Sequence, residues 1–159
     1  MRPAEPSDLP LLGGVEAAAD QLFIDRFQPE TWDQPATGEW RAAQPGFLLV
    51  AGRPPVGIAN VLVEVGSAHL EMLAVHPDHG RRGIGTALLE ACCAAAAAGG
   101  HEELTLTTFA NVPWNAPYYL RLGFAVVEEP TGVLARHLEH EQLLERYDAR
   151  VGMVRRLGR

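Results

Sequence analysis

No lysine occurs among the 159 residues; all 13 basic side chains are arginine, against 20 Asp and Glu, for a net charge of −7. The missing lysine reads as coding bias. The shortage of positive charge argues against nucleic acid as a partner, because that binding needs clustered Lys and Arg to neutralise phosphates. An acidic surface instead favours the approach of cations. Cysteine is nearly absent too. The two present, Cys92 and Cys93, are adjacent in an Ala-rich stretch, so they cannot staple distant segments and make a poor metal set. They read as small buried helix residues, and no metal is expected. No apolar run reaches the roughly 18–20 residues of a bilayer span. Residues 1–12 carry no basic stretch followed by an apolar one, so no secretory leader is expected. These absences point to a cytoplasmic globular protein with no membrane partner. The length suits one domain over residues 1–159, able to bury a core without staples.

What is there is an alternation of elements. Residues 1–6 read as a first strand, and Ser7 as the N-cap of a helix that runs to about Phe23 with Asp8 in its first turn. From Gln28 to Pro45, prolines and Trp32 and Trp40 without a sustained period predict a loop with one short helix. Phe47–Ala51 and Val56–Val65 predict a hairpin across Gly52-Arg53-Pro54-Pro55, and His69–Val75 a further strand after Gly66-Ser67. Pro77–Arg82 is a loop, Gly83–Ala98 a helix stopped by Gly99-Gly100, and Glu103–Phe109 a strand alternating Leu and Thr. Asn115–Leu122 predicts a short helix, Phe124–Glu128 a strand, 134–147 a helical segment, and Ala149–Leu157 a last strand. The class is mixed α/β.

The chemistry concentrates between His69 and Phe124. Arg81-Arg82-Gly83-Ile84-Gly85-Thr86 falls between a strand and a helix. Glycines there let backbone approach a ligand, and the unpaired N–H groups of a helix start attract a pyrophosphate. The two arginines can add charge-assisted bonds. The stretch is not a Walker A loop, since no Gly-Lys-Ser/Thr follows, and it does not open an N-terminal dinucleotide unit.

Leu73-Ala74-Val75-His76-Pro77-Asp78, running into Arg82-Gly83-Ile84-Gly85-Thr86-Ala87-Leu88-Leu89, resembles the acetyl-CoA-binding motif of the GNAT (GCN5-related N-acetyltransferase) superfamily. Tyr119-Leu120-Arg121-Leu122-Gly123-Phe124 is similar to that family's Tyr-x-x-x-Gly-Phe signature. The order of flanking elements extends the resemblance over essentially the whole chain. It implies a mixed central sheet of about seven strands flanked by helices, acetyl-CoA as donor, and direct attack of an amine without an acyl-enzyme. One position departs: where the family usually has Gln or Arg three residues before the first glycine, this chain has Gly80, with Arg81 one later.

The resemblance implies roles by position. The backbone of Leu73 and Val75, with Ala74 between them, would pair with the pantetheine arm, and the loop from Arg81 to Thr86 would hold the pyrophosphate. Tyr119 corresponds to the residue that protonates the leaving thiolate, and Asn115 to a cofactor contact or else an N-cap. His69 and Glu71, two apart on one strand face, are the alternatives for the general base that takes the amine's proton. Tyr118 reads as core. His76, His79, His101, His137 and His140 have no metal spacing and read as solvated. Phe23, Trp32 and Trp40, with Asp33 and Glu39, fall where relatives build the acceptor wall, and aromatic faces there can hold an ammonium. The acceptor expected is a small-molecule amine. A protein lysine or N-terminus, or a non-catalytic acyl-CoA-binding role, are the alternatives. The 134–147 helical segment and the last strand offer surfaces for a homodimer.

Overall fold

A computed structural model of the chain describes residues 1–158. Its elements are β1 (Arg2–Pro3), α1 (Leu9–Phe27), α2 (Gly38–Ala43), β2 (Gly46–Ala51), β3 (Gly57–Glu64), β4 (Ser67–Val75), α3 (Ile84–Ala98), β5 (Glu103–Phe109), α4 (Ala116–Arg121), β6 (Ala125–Val126), α5 (Gly132–His140) and β7 (Arg150–Arg156). The strands form one mixed sheet in the order β1-β2-β3-β4-β5-β7-β6. β4 and β5 run parallel and pair over Ala68–Leu70 and Leu104–Leu106, whereas β7 pairs antiparallel with β5 along its whole length. The described chain divides into two compact units, residues 1–61 with 72–92, and residues 62–71 with 93–158.

In the first unit, Leu12 and Val15 of α1 pack with Leu48, Val50, Ile58 and Ala74 from the strands. Two glycines let elements approach closely. A Cβ at Gly38 would lie 2.2 Å from the Leu9 carbonyl oxygen, and one at Gly57 2.8 Å from Leu88 Cδ1. Glycine is therefore required where α2 meets the start of α1, whereas at Gly57 a Cβ would have to displace the Leu88 side chain of α3. In the second unit, Leu104, Leu106, Val112, Phe124 and Met153 are buried. There α5 lies on β5 and β7, with Leu134 so close over Gly152 that a Cβ would stand 2.9 Å from it.

Three expectations are corrected. The N-cap of α1 is Asp8, not Ser7, and its carboxylate makes no capping bond. It accepts instead from the Glu5 amide (2.8 Å) and from both terminal nitrogens of Arg2 (2.6 and 3.0 Å), tying β1 to the helix start. The same helix continues past Phe23 to Phe27, because Phe23, Phe27 and Trp32 stack as a row and reward another turn. The 134–147 segment is not one helix. α5 ends at His140, and a 3₁₀ turn, Gln142–Arg146, follows after Glu141, whose side chain is drawn onto the sheet.

Candidate active site

The loop after β4 belongs to the first unit. The His76 amide donates to the Val56 carbonyl (2.8 Å), and a 3₁₀ turn at Pro77–His79 closes with the Gly80 amide on the Pro77 carbonyl (3.0 Å). Arg81 (φ 60°) and Gly83 (φ 78°) then adopt left-handed backbone. A Cβ at Gly83 would meet nothing within 4 Å, so glycine serves the dihedral angle there and not a lack of space. The first bond of the α3 ladder runs from the Ala87 amide to the Gly83 carbonyl (3.0 Å). The amides of Gly83, Ile84 and Gly85 thus precede the ladder at the positive end of the helix dipole. Arg81 and Arg82 are exposed beside them, and Ile84, Gly85 and Thr86 are half-buried. Anion recognition is what such a loop can do, by backbone donors first and guanidinium groups second. Gly80 has an ordinary φ of −67°, and a Cβ on it would lie 3.2 Å from the Pro77 oxygen. The missing side chain belongs to a tight turn.

Tyr119 lies in the second unit, buried on α4, its ring edge-on to Tyr118 (5.4 Å, 67°) and to Phe124 (5.7 Å, 69°). Its carbonyl accepts from the Leu122 and Phe124 amides, so Gly123-Phe124 folds back and fixes the ring. Gly123, at φ 89°, makes that reversal. Asn115 occupies the N-cap position of α4 but makes no capping bond, its amide donating to the Trp114 carbonyl (3.1 Å).

Of the two base candidates on β4, Glu71 is half-buried and His69 is only 1% exposed. The His69 ring stacks on His137 of α5, centroids 3.9 Å apart and planes within 2°. His69 Nδ1 lies 2.9 Å from Thr105 Oγ1. His137 Nε2 is 3.3 Å from the Glu64 carboxylate, which also takes Arg136 at 3.0 Å. His137 is thus packed into the structure, a correction to its reading as solvated. Burial first, and the neighbouring His137 second, push the His69 pKa from 6.5 down to about 3. A base so depressed stays neutral at pH 7 and holds a proton poorly.

The unfolded chain takes a proton on His69 near pH 6.5, while the folded chain takes it only near 3. Between those values unfolding is coupled to proton uptake, so stability falls as pH falls, by at most about 1.4 kcal/mol per pH unit. His69→Phe is expected to flatten that slope between pH 6.5 and 5, read from urea midpoints. An unchanged slope would assign the acid sensitivity to other groups.

Two side-chain clusters were not anticipated from sequence. In the first unit, buried Arg41 of α2 donates to Glu16 of α1 (2.5 Å) and to Asn60 of β3 (3.3 Å). Glu16 follows Leu12 and Val15 on the apolar stripe of α1, and a glutamate there was the available signal. In the second, Glu141 accepts from Thr107 of β5 (2.8 and 2.9 Å) and from Arg150 of β7. A cavity of about 720 Å³ in this unit lies at the opposite ends of these strands, lined by Ser67, Glu103 and Arg156 among others. It contains none of the catalytic or cofactor-binding candidates named from sequence.

Solved structures share this fold. N-acetylglutamate synthase from Neisseria gonorrhoeae, complexed with coenzyme A and N-acetylglutamate, is 18% identical with a TM-score of 0.70 over 99% of this chain. The chain spans only 35% of that protein's length. An acetyltransferase from Thermus thermophilus is 23% identical (TM-score 0.65, 98% of this chain and 95% of that one). The ribosomal-protein-S18-alanine N-acetyltransferase from Escherichia coli is 23% identical (TM-score 0.65, 99% and 92%). The sequence profile of the acetyltransferase (GNAT) family matches residues 17–124. That span takes in β4, the left-handed loop, the start of α3, and Tyr119 with the Gly123-Phe124 reversal that fixes it: the chain belongs to the GNAT family of acetyltransferases.

Proposed function

We propose that the chain, acting as one domain over residues 1–159, transfers acetyl from acetyl-CoA directly to a primary amine of a small molecule in the cytoplasm. The observation that carries this reading is the start of α3. Amides ahead of the ladder, left-handed Arg81 and Gly83, and exposed Arg81 and Arg82 converge on one anion-binding loop. Arg82, Gly83, Ile84, Gly85 and Thr86 would hold the pyrophosphate, and the Leu73–Val75 backbone and Asn115 the rest of the donor. Coenzyme A in the Neisseria relative supports the same donor. No helix of the described residues is long and apolar enough to cross a membrane.

Glu71 takes the base role, since burial against His137 removes His69 from useful titration. The ammonium loses a proton to Glu71, directly or through water. Its lone pair then forms the C–N bond as the C–S bond breaks. The departing thiolate takes the Tyr119 hydroxyl proton, and the surplus N–H proton of the acylated nitrogen leaves through water to restore the tyrosine, giving the neutral amide and free thiol. His69 acts as a neutral spacer that positions β4.

Calorimetric titration with acetyl-CoA, with NADH as control, followed by thiol release on a panel of amines, tests the reading. Saturable one-site binding and amine-dependent release are expected. No binding at millimolar acetyl-CoA would overturn it and point to Gly80 as the disabling change.

A further inference from the structure

We propose that Arg150 is the carboxylate-binding residue of the acceptor subsite, that Glu141 occupies it while no acceptor is bound, and that the acceptors are therefore amines that also carry a carboxylate. This rests on the transferase reading above and names its substrate class.

The placement follows from strand register. Thr105, Thr107 and Phe109 of β5 stand opposite Val154, Gly152 and Arg150 of β7, so all six share one face of the sheet. His69 stands opposite Thr105 and contacts its hydroxyl on that face. By alternation Glu71, two residues on, belongs to the same face and the same end as Thr107 and Arg150. α5 covers the lower rungs with Leu134 over Gly152 and His137 over His69, and then stops. The first residue past it, Glu141, bonds Thr107 on the Gly152 rung and Arg150 on the next. A single carboxylate thus fills the rung beside the proposed base.

Arg150 is held for a larger task than this pair performs. Its side chain is 9% exposed, with the guanidinium over the Phe109 ring at 4.5 Å. Glu141 and Thr107 both engage Nη2, while Nε is buried and has no acceptor. Guanidinium recognises carboxylate best through two parallel N–H donors. A buried Nε without a partner costs free energy that a second carboxylate oxygen would recover. Glu141 is 24% exposed and sits at the joint between α5 and the 3₁₀ turn, so its side chain has room to swing to solvent. An amino acid whose carboxylate took both Nε and Nη2 would satisfy the orphan donor. Its amine would then be directed along the same face toward Glu71.

The test reads Arg150 itself. In protein labelled with ¹⁵N-arginine, the Arg150 Nε–H resonance, assigned by its loss in Arg150→Lys, is followed during titration with glycine, 4-aminobutyrate and a panel of L-amino acids. Methylamine, propylamine and the other matched decarboxylated amines are the controls. A saturable shift with one or more acids and none with its matched amine is expected, and Glu141→Gln should tighten that binding about 3- to 10-fold. In turnover, Arg150→Lys should raise KM for the acid about 10- to 100-fold, the range of a charge-assisted pair, with little change for the matched amine. If no acid shifts the resonance, or acid and amine respond alike, the inference is overturned even where amines are acetylated. A shift without thiol release from any amine would sink the transferase reading and leave the carboxylate subsite standing.

Discussion

Tyr119→Phe is expected to lower the rate of acetyl transfer by about 10²-fold or more, the range for a positioned general acid, while changing acetyl-CoA affinity less than threefold. The substitution deletes one hydroxyl and keeps the ring. The edge-on contacts with Tyr118 and Phe124 remain, as do the bonds that the Tyr119 carbonyl accepts from Leu122 and Phe124. The fold around α4 keeps these contacts, and the loss is expected to fall on the chemical step. Single-turnover thiol release is the right measurement, because product release can mask chemistry in kcat. Parallel loss of affinity and rate would assign Tyr119 to binding. A loss below threefold would mean that the thiolate departs unprotonated or takes its proton from water.

The second large effect lies in the first unit and concerns stability. Arg41→Met is expected to cost about 3–5 kcal/mol, because it takes from the buried Glu16 carboxylate the guanidinium that donates to it. Both side chains are almost completely inaccessible, and Asn60, which bridges Arg41 to the Phe47 carbonyl, would lose its donor as well. In the variant Glu16 would retain a proton in the folded state, so the deficit should shrink as pH falls toward 5. The double variant Glu16→Leu/Arg41→Met should recover most of the loss, since replacing both partners removes the desolvation cost together with the attraction. Urea midpoints of the single and double variants measure this. A loss under 1 kcal/mol for Arg41→Met would mean that water reaches the pair.

Local pattern was enough for most elements. β5 matches its expected span, Glu103–Phe109, because Leu104 and Leu106 alternate with Thr105 and Thr107, and period two is read directly along the chain. α3 follows from an Ala and Leu run ended by two glycines. Boundaries failed where a side chain answered to something distant. Ser7 looked like the cap, yet Asp8 closes the turn while bound to Arg2. The helical pattern from 134 to 147 continues in sequence, yet the chain changes course at Glu141 because Arg150 and Thr107 hold its carboxylate.

The site divides in the same way. The sequence by itself determined the family, the glycine loop at the start of α3 and the tyrosine of α4. Each depends on neighbours within a few residues, so short motifs record them. Only the tertiary structure separates the two β4 candidates by burial, enclosing His69 and leaving Glu71 half-buried. Burying His69 under His137, which is 68 positions away, depends on α5 crossing β5 and β7, and no local pattern encodes that crossing. The same packing set Glu141 on Arg150 and Arg41 on Glu16. In sequence Arg41, Glu141 and Arg150 are ordinary charges, and only Glu16 stands out, by its place on the apolar stripe of α1. Their partners come from the packing that folding assembles around them.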